Sequence, residues 1–130
     1  MKFNNVFIVD DDKVHHFIIR KLLENNGINA IPYFYENGYD ALQDLQSKKD
    51  SHHDLPDLIL LDINMPVLDG WQFLEEFKLL KESIEKEIKV HIISSSDNII
   101  DTDKAEEFRG EFLNYYVKPM TNDLIKEIFK

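Results

Sequence analysis

Two acidic stretches and one basic residue carry the chemistry that this sequence could perform. Asp10-Asp11-Asp12 follows the short apolar run Val6-Phe7-Ile8-Val9, and Asp62 follows Leu58-Ile59-Leu60-Leu61. A carboxylate that abuts a buried strand is costly unless something pairs with it, so Asp62 is the more informative of the two. Further along, Ser94-Ser95-Ser96 follows Val90-His91-Ile92-Ile93, and Lys118-Pro119 follows the run Leu113 to Val117. Taken singly, each has a plain structural role: the aspartate run as a turn and helix N-cap, Ser94 as a cap, Lys118 as a surface lysine. Taken together, they put carboxylates, a hydroxyl and an ammonium at four separate strand ends. Crowded carboxylates repel one another, and a hard divalent cation bound through oxygen relieves that repulsion; Mg²⁺ suits a site that keeps waters and a phosphate oxygen. The matching chemistry is phosphoryl transfer to a carboxylate. Asp62 is the expected nucleophile, attacking phosphorus in line. Asp11 and Asp62, with a backbone carbonyl such as that of Asn64, are the expected ligands of the ion, with Asp10 acting through a water. Lys118 would neutralise one phosphoryl oxygen and Ser94 would donate a hydrogen bond to another.

For those residues to meet, the chain must fold as a parallel sheet. Val6 to Val9 reads as a strand buried on both faces. Asp12 stands at an N-cap position, and Val14, Ile18 and Leu22, flanked by Phe17 and Leu23, recur at helical spacing until Asn26-Gly27 stops them. Ile28 to Tyr35 reads as a second strand, Asn37-Gly38 as a break, and Ala41, Leu42 and Leu45 as a short helix face. The third strand is Leu58 to Leu61. Phe73, Leu74, Phe77 and Leu80 then mark a third helix, and Val90 to Ile93 a fourth strand. The helix from Ile99 to Arg109 is the weakest, with Ile100, Ala105 and Phe108 as its apolar residues, and Leu124, Ile125, Ile128 and Phe129 line the last one. Five strand-then-helix units with crossovers of helical length predict a doubly wound five-stranded parallel sheet, helices on both faces. Ligands of such sheets bind outside the carboxyl ends of the strands, where the residues singled out above lie.

The 130 residues are one domain's worth of chain, and 43% hydrophobic residues suffice for a core without staples. Cysteine is absent, which removes thiol and Cys-zinc chemistry. Lys and Arg total 15 against 25 Asp and Glu, a formal net charge of −10, which argues against direct nucleic-acid binding. Residues 1–5 run straight into the first strand without a signal-peptide stretch, and the longest apolar run is four residues, so the expectation is a cytoplasmic protein that engages no membrane.

The motifs Phe7-Ile8-Val9-Asp10-Asp11-Asp12, Leu60-Leu61-Asp62-Ile63-Asn64-Met65-Pro66-Val67-Leu68-Asp69-Gly70, Ile92-Ile93-Ser94-Ser95 and Tyr115-Tyr116-Val117-Lys118-Pro119 occur in that order over essentially the whole chain. In these the sequence resembles the receiver domain of bacterial two-component response regulators. The resemblance implies a flavodoxin-like (βα)5 fold and Asp62 as the phosphoacceptor; since such a fold takes up all 130 residues, the expectation is a single receiver domain over residues 1–130 with no output domain, or else a fragment of a longer protein. It implies Asp10, Asp11 and Asp62 as the acidic Mg²⁺ pocket, Ser94 as the switch hydroxyl, Lys118 as the phosphate-sensing lysine and Tyr115 as the aromatic switch residue. The implied donor is a sensor histidine kinase or a histidine phosphotransfer protein. Phosphorylation adds close to two charges at Asp62; Ser94 then swings inward, Tyr115 fills the space it leaves, and the face made by the fourth helix, fifth strand and fifth helix is altered for an unknown downstream protein or for a phosphorylation-dependent homodimer. The weak fourth helix fits a movable element. The domain would promote only its own phosphorylation and dephosphorylation rather than act as an enzyme on other molecules.

Several features depart from the commonest form of the family. The switch hydroxyl is Ser rather than Thr, and Ser95 stands where Ala is usual. The stretches Ser47 to Asp54 and Glu82 to Lys89 are longer than in compact receivers, as docking surface or tolerated insertions. Asn64 and Ser96 lie where the family tunes dephosphorylation. His15-His16 and His52-His53 invite a transition-metal reading, but adjacent helical residues do not share a face, and paired ligands there want three- or four-residue spacing. Three other classes remain to be distinguished. A pseudo-receiver would bind protein without phosphorylation, whereas the acid, hydroxyl and lysine set is complete here. A haloacid-dehalogenase-type phosphohydrolase wants a second Asp where Asn64 stands. A flavodoxin-like cofactor carrier needs a phosphate-cradling loop where this chain has three aspartates.

Overall fold

A computed structural model of the protein describes residues 3–95 and 99–130, with the backbone alone at 99–102. Strand β1 (Asn5–Val9) leads into helix α1 (Lys13–Asn25), β2 (Ile31–Tyr35) into α2 (Gly38–Ser47) and β3 (Leu58–Leu61) into α3 (Gly70–Leu80). Then follow β4 (Lys89–Ser94), α4 (Ile99–Glu107), β5 (Asn114–Val117) and α5 (Asn122–Phe129). All strand pairs are parallel and the spatial order is β2-β1-β3-β4-β5. The chain therefore winds one way from β1 to β2 and the other way from β3 onward. The crevice between the carboxyl ends of β1 and β3 is the switch point where such sheets bind their ligands.

Alternation along the strands divides the interior in two. Phe7, Val9, Ile59, Leu61, Val90 and Ile92 face Ala41 and Leu45 of α2 and Trp71, Leu74 and Phe77 of α3. Val6, Ile8, Leu58, Leu60 and Ile93 face Ile19 and Leu23 of α1 and Ile125 and Ile128 of α5. Both sheet faces are covered, so the central strand β3 is apolar and buried at every position, and each fully buried Leu or Ile contributes about 1.5–3 kcal/mol. Ala105 and Phe108, read as the apolar face of the fourth helix, pack on the α2–α3 side; Ile100 and Ser96 lie outside the residues whose side chains are described.

Two details correct the sequence reading. The core-facing line of α1 is His15, Ile19 and Leu23, not Val14, Ile18 and Leu22. Val14 is 67% and Phe17 59% exposed. The helix is rotated by about one residue from the phase that its aliphatic side chains alone suggest, because a histidine occupies a core position. Strand β2 begins at Ile31 rather than Ile28. Gly27 takes φ +62, its N–H donates to Glu24 O at 3.1 Å, and Ile28 N–H donates to Leu23 O at 3.0 Å, so Ile28 belongs to the helix stop.

The two longer stretches form one unit below the sheet. Lys86 Nζ donates to the carbonyls of His52 (3.0 Å) and Leu55 (2.8 Å) and pairs with Asp57 at 2.9 Å. Among the described residues, no helix is long and apolar enough to cross a membrane.

Candidate functional site

The site is built from strand ends. Asp10 continues β1, its N–H still donating to Tyr35 O of β2 at 2.9 Å. Asp12 ends the run as the N-cap of α1, its side chain accepting from Val14 N–H at 2.9 Å and His15 N–H at 3.4 Å. Asp62 leaves β3 with its N–H on Val9 O at 2.8 Å, which places it beside Asp10 across the switch point. The loop after Asp62 turns sharply. Val67 has φ +69 at the centre of a three-residue turn closed by Leu68 N–H on Pro66 O at 2.8 Å, a conformation that costs a β-branched residue about 1–3 kcal/mol. Gly70 then opens α3 against the backbone of the site itself. A Cβ there would lie 2.5 Å from Asp62 O and 2.7 Å from Ile63 Cα, so only glycine lets the helix start this close. Asp69 caps that helix in a reciprocal arrangement with Gln72.

Asp10 and Asp62 are each only 3% exposed, and Lys118 of the β5–α5 connection lies between them. Lys118 Nζ is 2.9 Å from Asp10 Oδ2, 3.1 Å from Asp10 Oδ1 and 3.4 Å from Asp62 Oδ2. Asp62 Oδ1 otherwise accepts from Asn64 N–H at 3.3 Å. Burial, and then the neighbouring Asp10 charge, push Asp62 up to about 7 against the opposing pull of Lys118 and the Asn64 N–H. Burial works the same way on Asp10, but hydrogen bonds from His15, the Asp12 N–H and Lys118 outweigh it and hold Asp10 below the usual carboxylate value. For Lys118 burial favours the neutral amine, yet the bonds and charges of Asp10 and Asp62 raise it above an ordinary lysine. One carboxylate is thus satisfied at the expense of the other.

Asp11 is exposed, and one oxygen from each of Asp10, Asp11 and Asp62 falls within 4.8 Å of the others. Three carboxylates, two buried and one open to solvent, with no nitrogen or sulfur donor among them, fit a hard cation such as Mg²⁺. Among the described residues this is the one cluster of acidic, His or Cys side chains so arranged, and neither histidine pair forms another. Ser94 is fully buried at the end of β4, and Asn64 Nδ2 approaches its Oγ at 3.5 Å. In register, Ser94 lies opposite Val117 and Tyr115 opposite Ile92, so Ser94 and Tyr115 share the sheet face that packs on α3. Tyr115 is half-buried against that core.

Asp10, Asp11, Asp62, Asn64, Ser94 and Lys118, all chosen by type and position, therefore meet at one edge, with Tyr115 a step away. The histidines were the residues the spacing argument set aside. His15 Nδ1 is 2.8 Å from Asp10 Oδ2, and His16 Nε2 is 2.6 Å from the Asp10 carbonyl oxygen. Adjacent residues on a helix can both reach one residue when that residue lies beside the helix start rather than on a face. The signal for this was present in the stripe His15, Ile19, Leu23, spaced four and four, once histidine is admitted to a core position.

A five-stranded parallel domain with a buried acid pair, a strand-end hydroxyl and a bridging lysine at its switch point defines the class of CheY-like α/β signalling domains. The chain belongs to the response regulator receiver domain family, whose model matches residues 6–130. It is 31% identical over 124 residues to transcriptional regulatory protein ZraR of Salmonella typhimurium, covering 95% of this chain and 25% of that protein. The chain thus spans about a quarter of that curated relative. A two-component response regulator from Cytophaga hutchinsonii superposes with a TM-score of 0.84 at 25% identity, covering 99% of this chain and 96% of that one. Response regulator Rcp1 in its Mn(2+)-bound form superposes with a TM-score of 0.73 at 27% identity, covering 96% and 88%. Receiver domains are signalling domains that accept phosphoryl groups in two-component systems and generally bind Mg²⁺ at an acidic pocket.

Proposed function

We propose that this receiver domain takes a phosphoryl group onto Asp62 from a histidine kinase or histidine phosphotransfer protein, and signals to a protein partner through Ser94 and Tyr115. The observation that carries this reading is Lys118 shared between two buried carboxylates, of which Asp62 is the poorly satisfied one. Asp10, Asp11 and Asp62, with the Asn64 backbone carbonyl, would hold Mg²⁺, which when bound offsets the charge of the acid cluster and of the incoming phosphoryl oxygens. An Asp62 oxygen attacks phosphorus in line. The P–N bond of a phosphohistidine donor breaks, and its electron pair returns to the imidazole. Lys118 transfers its hydrogen bonds from the carboxylates to a phosphoryl oxygen, and Ser94 Oγ–H donates to another. As Ser94 turns toward the phosphoryl group, Tyr115 on the same sheet face moves into the space and alters the α4–β5–α5 surface. In this reading residues 1–130 act as one domain whose output is a protein contact, and the chemistry it promotes is confined to its own Asp62.

Incubation with acetyl phosphate and Mg²⁺ should add one phosphoryl group to the wild type by intact mass, and none to Asp62→Asn. Trp71, the only tryptophan, stacks on Phe108 just beyond α4 with ring centroids 5.6 Å apart. Beryllofluoride with Mg²⁺ should therefore change its fluorescence in the wild type alone. A wild type that takes up no phosphoryl group and ignores beryllofluoride would instead be a phosphorylation-independent binding module.

A further inference from the structure

His15 occupies a position that α1 would ordinarily fill with an aliphatic residue, in line with Ile19 and Leu23, and it is 3% exposed. A buried imidazole is tolerated only where both ring nitrogens find partners. Here both do. Nδ1 is 2.8 Å from Asp10 Oδ2, and Nε2 is 3.3 Å from the backbone N–H of Met120, which can only donate. Nε2 is therefore the acceptor and Nδ1 the donor, so the two contacts fix the tautomer and the ring orientation together. Met120 is itself 3% exposed, so no water would replace the acceptor if the ring turned away.

The two partners belong to different halves of the site. Asp10 is one of the three carboxylates that converge for a cation. Met120 lies two residues beyond Lys118, whose ammonium binds the same Asp10 oxygen that His15 does. On the other oxygen Asp10 accepts from the Asp12 N–H at 2.9 Å and from Lys118 at 3.1 Å. When a phosphoryl group draws Lys118 away, His15 and the Asp12 N–H remain to hold the carboxylate.

We infer that His15 is a positioning residue of the phosphoacceptor site, orienting the Asp10 carboxylate for the divalent cation through Nδ1–H while the β5–α5 turn braces its ring. Donors that orient a metal-binding carboxylate typically set tenfold to hundredfold in metal affinity. The inference rests on the reading of Asp10, Asp11 and Asp62 as a cation site.

The test is direct binding of Mn²⁺, followed by electron paramagnetic resonance, with Mg²⁺ as competitor. The proteins are the wild type, His15→Phe, His15→Asn and His15→Gln, each checked by thermal melting in EDTA. Asn can place an amide N–H where Nδ1 stands and keep the bond to Asp10; Gln can place a carbonyl oxygen where Nε2 stands and keep only the bond from Met120. Affinity should fall about tenfold or more in His15→Phe and His15→Gln and stay within about threefold of wild type in His15→Asn. With acetyl phosphate, the Mg²⁺ concentration for half-maximal rate should rise in the same order, while the rate at saturating Mg²⁺ changes far less. Should His15→Phe not fold, the Asn and Gln pair decides the matter alone. Equal affinities across the series, or loss in Asn with retention in Gln, would overturn the role of His15. A wild type that binds no Mn²⁺ would overturn the cation site itself.

Discussion

Two aspartates bracket the same four-residue strand and are held in opposite ways. Asp57 enters β3, and its Oδ2 accepts the N–H groups of Asn4 at 2.7 Å and Asn5 at 2.9 Å, while Oδ1 pairs with Lys86 at 2.9 Å. Although burial opposes it, these bonds hold the Asp57 carboxyl below its usual value. Asp62 leaves β3 with one backbone N–H at 3.3 Å and a 3.4 Å share of a lysine that sits closer to Asp10. Its carboxyl is pushed up to about 7. At the amino end of the sheet the carboxylate stabilises the fold; at the carboxyl end it is kept short of partners, which leaves its oxygens available to a cation or to phosphorus. Strand-end aspartates are thus told apart by their satisfaction, not by their presence.

The comparison can be broken most decisively by phosphoryl uptake. Asp62→Asn should lower uptake from acetyl phosphate by a factor on the order of 1,000 or more, because the nucleophile is gone, whereas Asp57→Asn should stay within about twofold. Either uptake on Asp62→Asn or its loss on Asp57→Asn, measured by intact mass, would remove the distinction.

Stability without metal should run the other way. A carboxyl raised from 3.8 to about 7 destabilises the folded state once it ionises. The penalty is absent below pH 4, grows as the pH rises through the interval and is complete above pH 7. Asp62→Asn, which cannot ionise, should therefore be more stable than wild type at pH 8 in EDTA by about 2–4 kcal/mol, with the advantage gone near pH 4. Urea unfolding at the two pH values measures it.

Mg²⁺ should recover part of that penalty. At a hundredfold excess over its dissociation constant, a ligand of the native state alone adds about 2.7 kcal/mol, so the wild type should melt higher with Mg²⁺ than with EDTA while Asp62→Asn gains much less. An equal gain in both would place the ion elsewhere.

The smallest expected effect is at the other end of the strand. Asp57→Asn should cost about 1–3 kcal/mol at pH 7 through its charged hydrogen bonds. Because the carboxyl of Asp57 is lowered, that stabilisation is present above the ordinary value near 4 and is lost as the pH falls below it. Lys86→Met should reproduce part of the loss and loosen the joined stretches around His52 and Lys86, as read by amide exchange.

How far the sequence carried this protein can be judged on single residues. Asp12 as an N-cap, Gly27 as a helix stop and Leu58 to Leu61 as a doubly buried strand follow from local rules, because capping, positive φ and apolar runs concern residues within a turn of one another. The convergence of the candidate residues followed from the same regularity: once strands alternate with helices in a parallel sheet, the residues after the strands lie at one edge. The sequence could not set the rotation of α1. Val14 and Phe17 are as apolar as Ile19 and Leu23, and only the position of Asp10 and the Met120 N–H against the helix selects the phase that buries His15. Nor could it say how fully Asp57 and Asp62, at the two ends of the same apolar run, would be satisfied by partners. That difference depends on Lys86 and Lys118, which come from distant parts of the chain. Electrostatic and hydrogen-bond energies follow distance in space, and those distances exist only once the sheet is wound.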